Sequence, residues 1–164
     1  MAGKIATIGV YGWTLATFFE ALHAANVKLL VDVRQRRGVR GSEYAWANAQ
    51  RLLAACLREG ITYSHHTELA PTTELRHVQY REDDRLGVGK RSREQLAPEY
   101  RERYLHEILD PVDLTPLVEE LPRDGIAALM CVERDPEACH RSLVAERLAD
   151  ELGLRVVDLR PARA

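Results

Sequence analysis

Two hydrophobic patterns alternate along this chain. Residues 4–9 (KIATIG) read as a first strand. Thr14 then caps a helix whose Leu15, Phe18, Phe19 and Leu22 follow the i, i+3, i+4, i+7 spacing. Residues 28–33 (KLLVDV) are almost continuously apolar, as expected of a strand buried on both faces of a covered parallel sheet. Ser42 is expected to cap a second helix with Ala45, Ala49, Leu52, Leu53 and Cys56 on one face, ended by Gly60 in the left-handed region. Residues 61–64 form a short strand, and residues 126–132 (IAALMCV) form another buried one. A helix is expected from about Glu137 to Leu152, stopped by Gly153, before a last strand over residues 154–159.

Between these elements the signal changes. Residues 34–40 (RQRRGVR) are a basic loop. Residues 65–89 read as a loop, a short helix near residues 73–80 and a second loop. Residues 93–109 predict a charged helix with few core positions, residues 113–121 a short helix, and residues 122–125 (PRDG) a turn. Strands alternating with helices predict an α/β fold: an open, mainly parallel sheet of about five strands, helices on both faces, right-handed crossovers. The whole chain, residues 1–164, reads as one domain, with residues 66–122 as a partly helical insertion or lid.

Composition narrows the class. With 46% hydrophobic and 29% charged residues, the chain is neither disordered nor collagen-like. A chain of 164 residues buries roughly 70% of its unfolded surface, so folding requires no metal or disulfide. The 23 basic and 25 acidic residues leave a net charge of −2, which removes an overall polyanion-binding charge but not a local basic patch. No apolar run approaches the ~18 residues of a membrane span, and residues 1–9 lack a secretory apolar core. A cytoplasmic protein with no membrane partner is expected. Cys56, Cys131 and Cys139 are too few, and odd in number, for a disulfide framework.

Several motifs are absent. Residues 87–92 (GVGKRS) have the wrong spacing for a phosphate loop, and no G-x-G-x-x-G follows the first strand. There is no nucleophile elbow, no H-E-x-x-H and no C-x-x-C zinc pair. A thiol phosphatase loop needs Arg six positions after its Cys, yet positions 137 and 145 are Glu and Ala. No cofactor is expected.

The densest chemistry is residues 131–142 (CVERDPEACHRS), which run from the end of a buried strand into the first turn of a helix. Ligands of open α/β sheets bind beyond the carboxyl ends of the strands, and free N–H groups at a helix start suit an anion. Arg141 shares the apolar stripe of Ala145, Leu148 and Leu152, so it is expected to point inward and to be the foremost ligand contact. His140 flanks the same space. Cys139 falls toward the outer side if the helix has already begun, whereas a cap conformation would bring it in. His140 titrates near neutral pH and is the proton-transfer candidate. Cys139 beside it is the nucleophile candidate. Asp32 and Arg34 share one strand face, and a buried Asp requires a partner, either Arg34 or Arg141. Asp32, Arg34, Glu133 and Arg141 are therefore expected to form one polar cluster, with Tyr11 on the turn after the first strand facing the same ligand.

Other readings compete. The polar cluster can simply brace a sheet edge. Cys131, Cys139 and His140 can ligate a metal if His65 or His66 supplies a fourth donor, although His65-His66 reads more simply as a surface pair. The basic loop over residues 34–40, using Arg36, Arg37 and Arg40, can form a nucleic-acid patch with Lys90, Arg91 and Arg93, and Tyr44 and Trp46 can stack a base.

The pieces TIG (7–9), VDVR (31–34), GITY (60–63), ELAPT (68–72), CVERDPEACHR (131–141) and LVA (143–145) stand in the order of one family. On them the chain resembles the domain-of-unknown-function 488 family. Many members carry His-Ser or Thr after the first piece, where this chain has Val10-Tyr11. The resemblance implies an α/β fold and brings no established activity. The expectation is thus an α/β protein binding a small phosphate- or carboxylate-bearing ligand, a nucleotide among the options. Its site would comprise Asp32, Arg34, Glu133, Arg141 and Tyr11, with His140 and Cys139 as catalytic candidates. A nucleic-acid module and a non-catalytic structural or partner-binding protein are the alternatives.

Overall fold

The computed structural model describes residues 3–162. Five strands, β1 (Lys4–Ile8), β2 (Val27–Asp32), β3 (Thr62–His65), β4 (Ile126–Met130) and β5 (Arg155–Leu159), form one sheet in the order β3-β2-β4-β1-β5. Every pairing is parallel, so the fold is α/β. β2 and β4 lie inside the sheet, and both are buried from residue to residue over their second halves. That placement explains their unbroken apolar sequences. The edge strands β3 and β5 are only half-buried.

The helices show where local sequence holds and where packing overrides it. α1 (Leu15–Ala24) starts at Thr14, whose hydroxyl accepts from the Thr17 N–H while the Thr17 hydroxyl accepts from the Thr14 N–H. The helix expected from Ser42 is instead split. Residues Ser42–Ala47 form a 3₁₀ turn, Asn48 is extended, and α2 (Ala49–Glu59) follows. The Asn48 side chain accepts from the Val39 N–H, which ties the break to the basic loop. The phase change turns Leu53 outward, contrary to its expected core position.

α3 (Thr73–Leu86) runs from a Thr72 cap to a left-handed Gly87, so residues 81–85 are helix and not loop. The apolar pattern misses this because the inward positions include Gln79 and Asp83, both buried. The helix expected over residues 93–109 begins only at Pro98: α4 (Pro98–Tyr104) leads into a π-helical turn over Leu105–Leu109. α5 (Thr115–Glu120) follows, and α6 (Arg141–Leu152) ends at a left-handed Gly153. The expected start of α6 at Glu137 is also corrected. Pro136–Ala138 form a 3₁₀ turn, and Cys139 is extended at φ −140°, ψ 143°.

The connections β1→β2 and β2→β3 run one way across the sheet, and β3→β4 and β4→β5 run the other. Right-handed crossovers then place α1 and α2 on one face and α3 to α6 on the other. The connections leaving β2 and β4 diverge, which opens a crevice between these neighbours at their carboxyl ends. A single cluster of buried side chains runs from Ile5 to Leu148. No helix among the described residues is long and apolar enough to cross a membrane.

Candidate active site

Asp32 closes β2, and its partner is Arg34. The guanidinium donates from Nε to Oδ1 at 2.9 Å and from Nη2 to Oδ2 at 2.8 Å, a two-pronged ion pair with both groups buried. The third edge of Arg34 donates from Nη1 to the Ala47 carbonyl at 2.9 Å, holding the 3₁₀ turn. Tyr63 on β3 donates its hydroxyl to Asp32. Burial, with Asp32 beside it, pushes that phenol up to about 12, so it stays a donor.

The crevice floor holds two cysteines and a histidine. Cys131 follows β4 directly, and the extended backbone at Cys139 swings its side chain inward. His140 Nε2 lies 2.8 Å from the Val33 carbonyl, an acceptor only, so Nε2 carries hydrogen and Nδ1 faces the sulfurs. Nδ1 lies 3.9 Å from the Sγ of Cys131 and 3.9 Å from that of Cys139. Burial opposes ionisation of Cys139. The Cys131 thiol, His140 and Arg141 outweigh it and hold Cys139 well below the ordinary thiol range. Cys131 is held well above that range by its hydrogen bond to Cys139 and by burial. Burial would lower the His140 pKa, but the adjacent Cys139 thiolate raises it overall. The arrangement is therefore two neighbouring sulfurs, of which Cys139 is the more readily ionised, and an imidazole held by the Val33 carbonyl. Cys56, in contrast, is a core thiol that burial pushes up to about 12.

The expected single cluster of Asp32, Arg34, Glu133 and Arg141 separates into independent contacts. Glu133 pairs with Arg93, Nη1 to Oε1 at 3.2 Å, and its other oxygen has no partner. Burial raises the Glu133 pKa and the Cys139 thiolate adds to this, while Lys90 and Arg93 act the other way. Arg93 in turn clasps Asp83 of α3. Arg141 is fully buried and outside the crevice. It donates to the Glu133 carbonyl at 2.6 Å and the Arg134 carbonyl at 3.2 Å. Its position beside Ala145 and Leu148 does point it inward. Inward here means the loop carbonyls at the end of β4, which need donors once buried. Gly9 lies against the same turn: a Cβ there would collide with the Glu133 carbonyl and sit 3.2 Å from Arg141 Nη1.

The crevice is a cavity of ≈ 700 Å³. Arg34, Glu133, Cys131, Cys139 and His140 line its floor, and Tyr11 lines one side; Asp32 lies beneath. Residues of the 66–122 segment, including Arg76, Gln79, Tyr80, Lys90 and Arg93, supply the opposite wall. Sequence reasoning missed Arg76 and Gln79 because they sit in a stretch without clear periodicity, and it placed Arg93 in a nucleic-acid patch and not beside Glu133. Tyr11 packs on Tyr44 with ring centroids 5.2 Å apart, and Arg91 lies over both rings. Trp46 packs on Phe18 at 4.9 Å, so neither Tyr44 nor Trp46 is an open stacking platform.

The donor atoms of Cys131, Cys139 and His140 all lie within 4.8 Å of one another. A closed zinc site takes four protein ligands, and no fourth joins them among the described residues. His65 Nε2 is bound to the Arg34 carbonyl. His66, expected at the surface, is buried between Glu68 and Glu120.

Residues 14–148 match the family described as domain of unknown function DUF488. The chain belongs to this family. No curated protein and no solved structure matches the chain. The DUF488 match contains the end of β2 and all of residues 131–141; of the site residues singled out above, only Tyr11 lies outside it.

Proposed function

We propose that the crevice binds a small phosphate- or carboxylate-bearing molecule, and that Cys139 attacks it as a thiolate with His140 as the proton-transfer group. The observation that carries this reading is the charge of the lining. Arg34, Arg36, Arg40, Arg76, Lys90, Arg91 and Arg93 face the cavity against the single carboxylate of Glu133. The side chains of Arg36, Arg40 and Lys90 make no hydrogen bond or ion pair among the described residues, so they are free to meet an anion. Asp32 and Arg34 hold the floor rigid, and Arg141 fixes the turn that carries Glu133. Nδ1 of His140 takes the thiol proton, and the Val33 carbonyl keeps the ring oriented.

A nucleic-acid surface draws less support, because its stacking residues Tyr44 and Trp46 are packed on Tyr11 and Phe18. A purely structural role accounts for Arg34 and Arg141 but not for three unpaired cations around an open cavity.

A thermal-shift screen of nucleotides, sugar phosphates and small carboxylates tests the binding half. A ligand at one hundred times its Kd adds about 2.7 kcal/mol of stability. A screen with no stabiliser rejects the anion site. The pH profile of Cys139 alkylation tests the chemistry. The rate should stay high as pH falls through the ordinary thiol range, and a midpoint at the free-cysteine value of about 8.5 rejects the thiolate.

A further inference from the structure

Cys131 is a buried thiol that the anion-binding reading uses only as a neighbour favouring the Cys139 thiolate, yet it shares an imidazole nitrogen with the proposed nucleophile. Both sulfurs stand 3.9 Å from His140 Nδ1, and the two lie within 4.8 Å of each other at the floor of the same cavity. Strand β4 leads directly to one sulfur and the Pro136–Ala138 turn delivers the other, and a disulfide between them requires the two sulfurs to close to about 2.05 Å.

We infer that Cys131 is a resolving cysteine, and that the site exchanges electrons with a carboxylate-bearing small-molecule disulfide to form a Cys131–Cys139 disulfide. This rests on the reading of Cys139 as the nucleophile and gives the anionic ligand a chemical class. The step balances as follows. The Cys139 thiolate attacks one sulfur of the disulfide RS–SR. The new bond is Cys139–S–SR, the RS–SR bond breaks, and the leaving RS⁻ takes the proton from His140 Nδ1. The neutral imidazole then accepts the Cys131 proton, and the Cys131 sulfur attacks Cys139 Sγ. The mixed disulfide breaks, and the second RS⁻ leaves with that proton. The two cysteines lose two electrons and two protons, and RS–SR becomes two RSH. The cationic wall of Arg36, Arg40 and Lys90 holds the carboxylates of RS–SR, which an uncharged disulfide lacks.

The test uses the reduced chain of 164 residues, with glutathione disulfide as probe and intact mass as readout. The wild type should lose two hydrogens and accumulate no adduct. Cys131→Ser and Cys131→Ala should each stop at one glutathionyl group on Cys139. Cys139→Ser should do neither, and Cys56→Ser should behave as wild type. Replacing the probe by uncharged hydroxyethyl disulfide should slow the reaction, and salt should slow it with glutathione disulfide only. A wild-type adduct as persistent as that of Cys131→Ser overturns the resolving role and leaves the nucleophile standing. No reaction in any form, with Cys139 alkylating as an ordinary thiol, overturns both. Stoichiometric zinc on the purified protein, with thiols that react only after chelation, makes the cluster a metal site and overturns the inference.

Discussion

The buried arginines and the exposed cations of this protein do opposite work. Arg34 and Arg141 stand at strand and helix ends, where sequence reasoning expects ligand contacts, and both are fully buried. Arg34 neutralises Asp32 and braces Ala47, while Arg141 satisfies two loop carbonyls. Across the crevice, Arg36, Arg40 and Lys90 are exposed and unpaired among the described residues. The lesson is that a buried guanidinium whose Nη groups already donate to protein acceptors is part of the framework. One facing an open cavity without acceptors is available for a ligand.

Substitutions can break this division. The largest effect is expected at the β2 end. Arg34→Ala leaves the Asp32 carboxylate buried without its counter-ion and should lower stability by about 3–5 kcal/mol. Denaturant unfolding measures it, and a loss near zero would show that Arg34 is not part of the framework. Gly9→Ala should follow, at about 1–3 kcal/mol, because the added methyl forces the Glu133 carbonyl and Arg141 apart. Refitting unfolding curves with wild-type m-values tests this.

Glu133 sharpens the comparison through pH. Its folded pKa is raised by burial, so its neutral form is the one the fold favours. Its contribution to stability is present below the ordinary carboxylate value of about 4.3 and is lost as pH rises toward the folded value. Glu133→Gln should flatten that part of the stability–pH curve and leave wild type relatively less stable above it. An unchanged curve would mean that Glu133 is ionised in the fold at no cost.

The smallest effect on stability is expected from Arg36→Ala, Arg40→Ala and Lys90→Ala, which touch no described partner. Their unfolding curves should match wild type while stabilisation by phosphate-bearing ligands falls. A variant that unfolds early would move that residue to the framework side.

Much of the fold was legible from pattern. The continuous apolar runs of β2 and β4 marked the sheet interior, and Thr14, Gly60 and Gly153 marked helix ends through local chemistry. Helix continuity was not legible where polar side chains face inward. Gln79 and Asp83 break the apolar stripe of α3 because they bind the Ala97 N–H and Arg93 across the structure. The candidate site was legible as a list of residue types around Cys131–Arg141. Its geometry was not, because the extended backbone at Cys139 brings its sulfur to the same His140 nitrogen that Cys131 meets.

The sequence by itself determined the five strands and the capped or glycine-stopped ends of α1, α2 and α6, since hydrophobic period and capping act within a few residues of chain. Only the tertiary structure decided that Arg141 serves carbonyls, that Arg93 reaches Glu133 and that Cys131, Cys139 and His140 converge. Those outcomes depend on strand order and on competition among many possible partners for each buried charge. Neither is encoded in the spacing of residues along the chain.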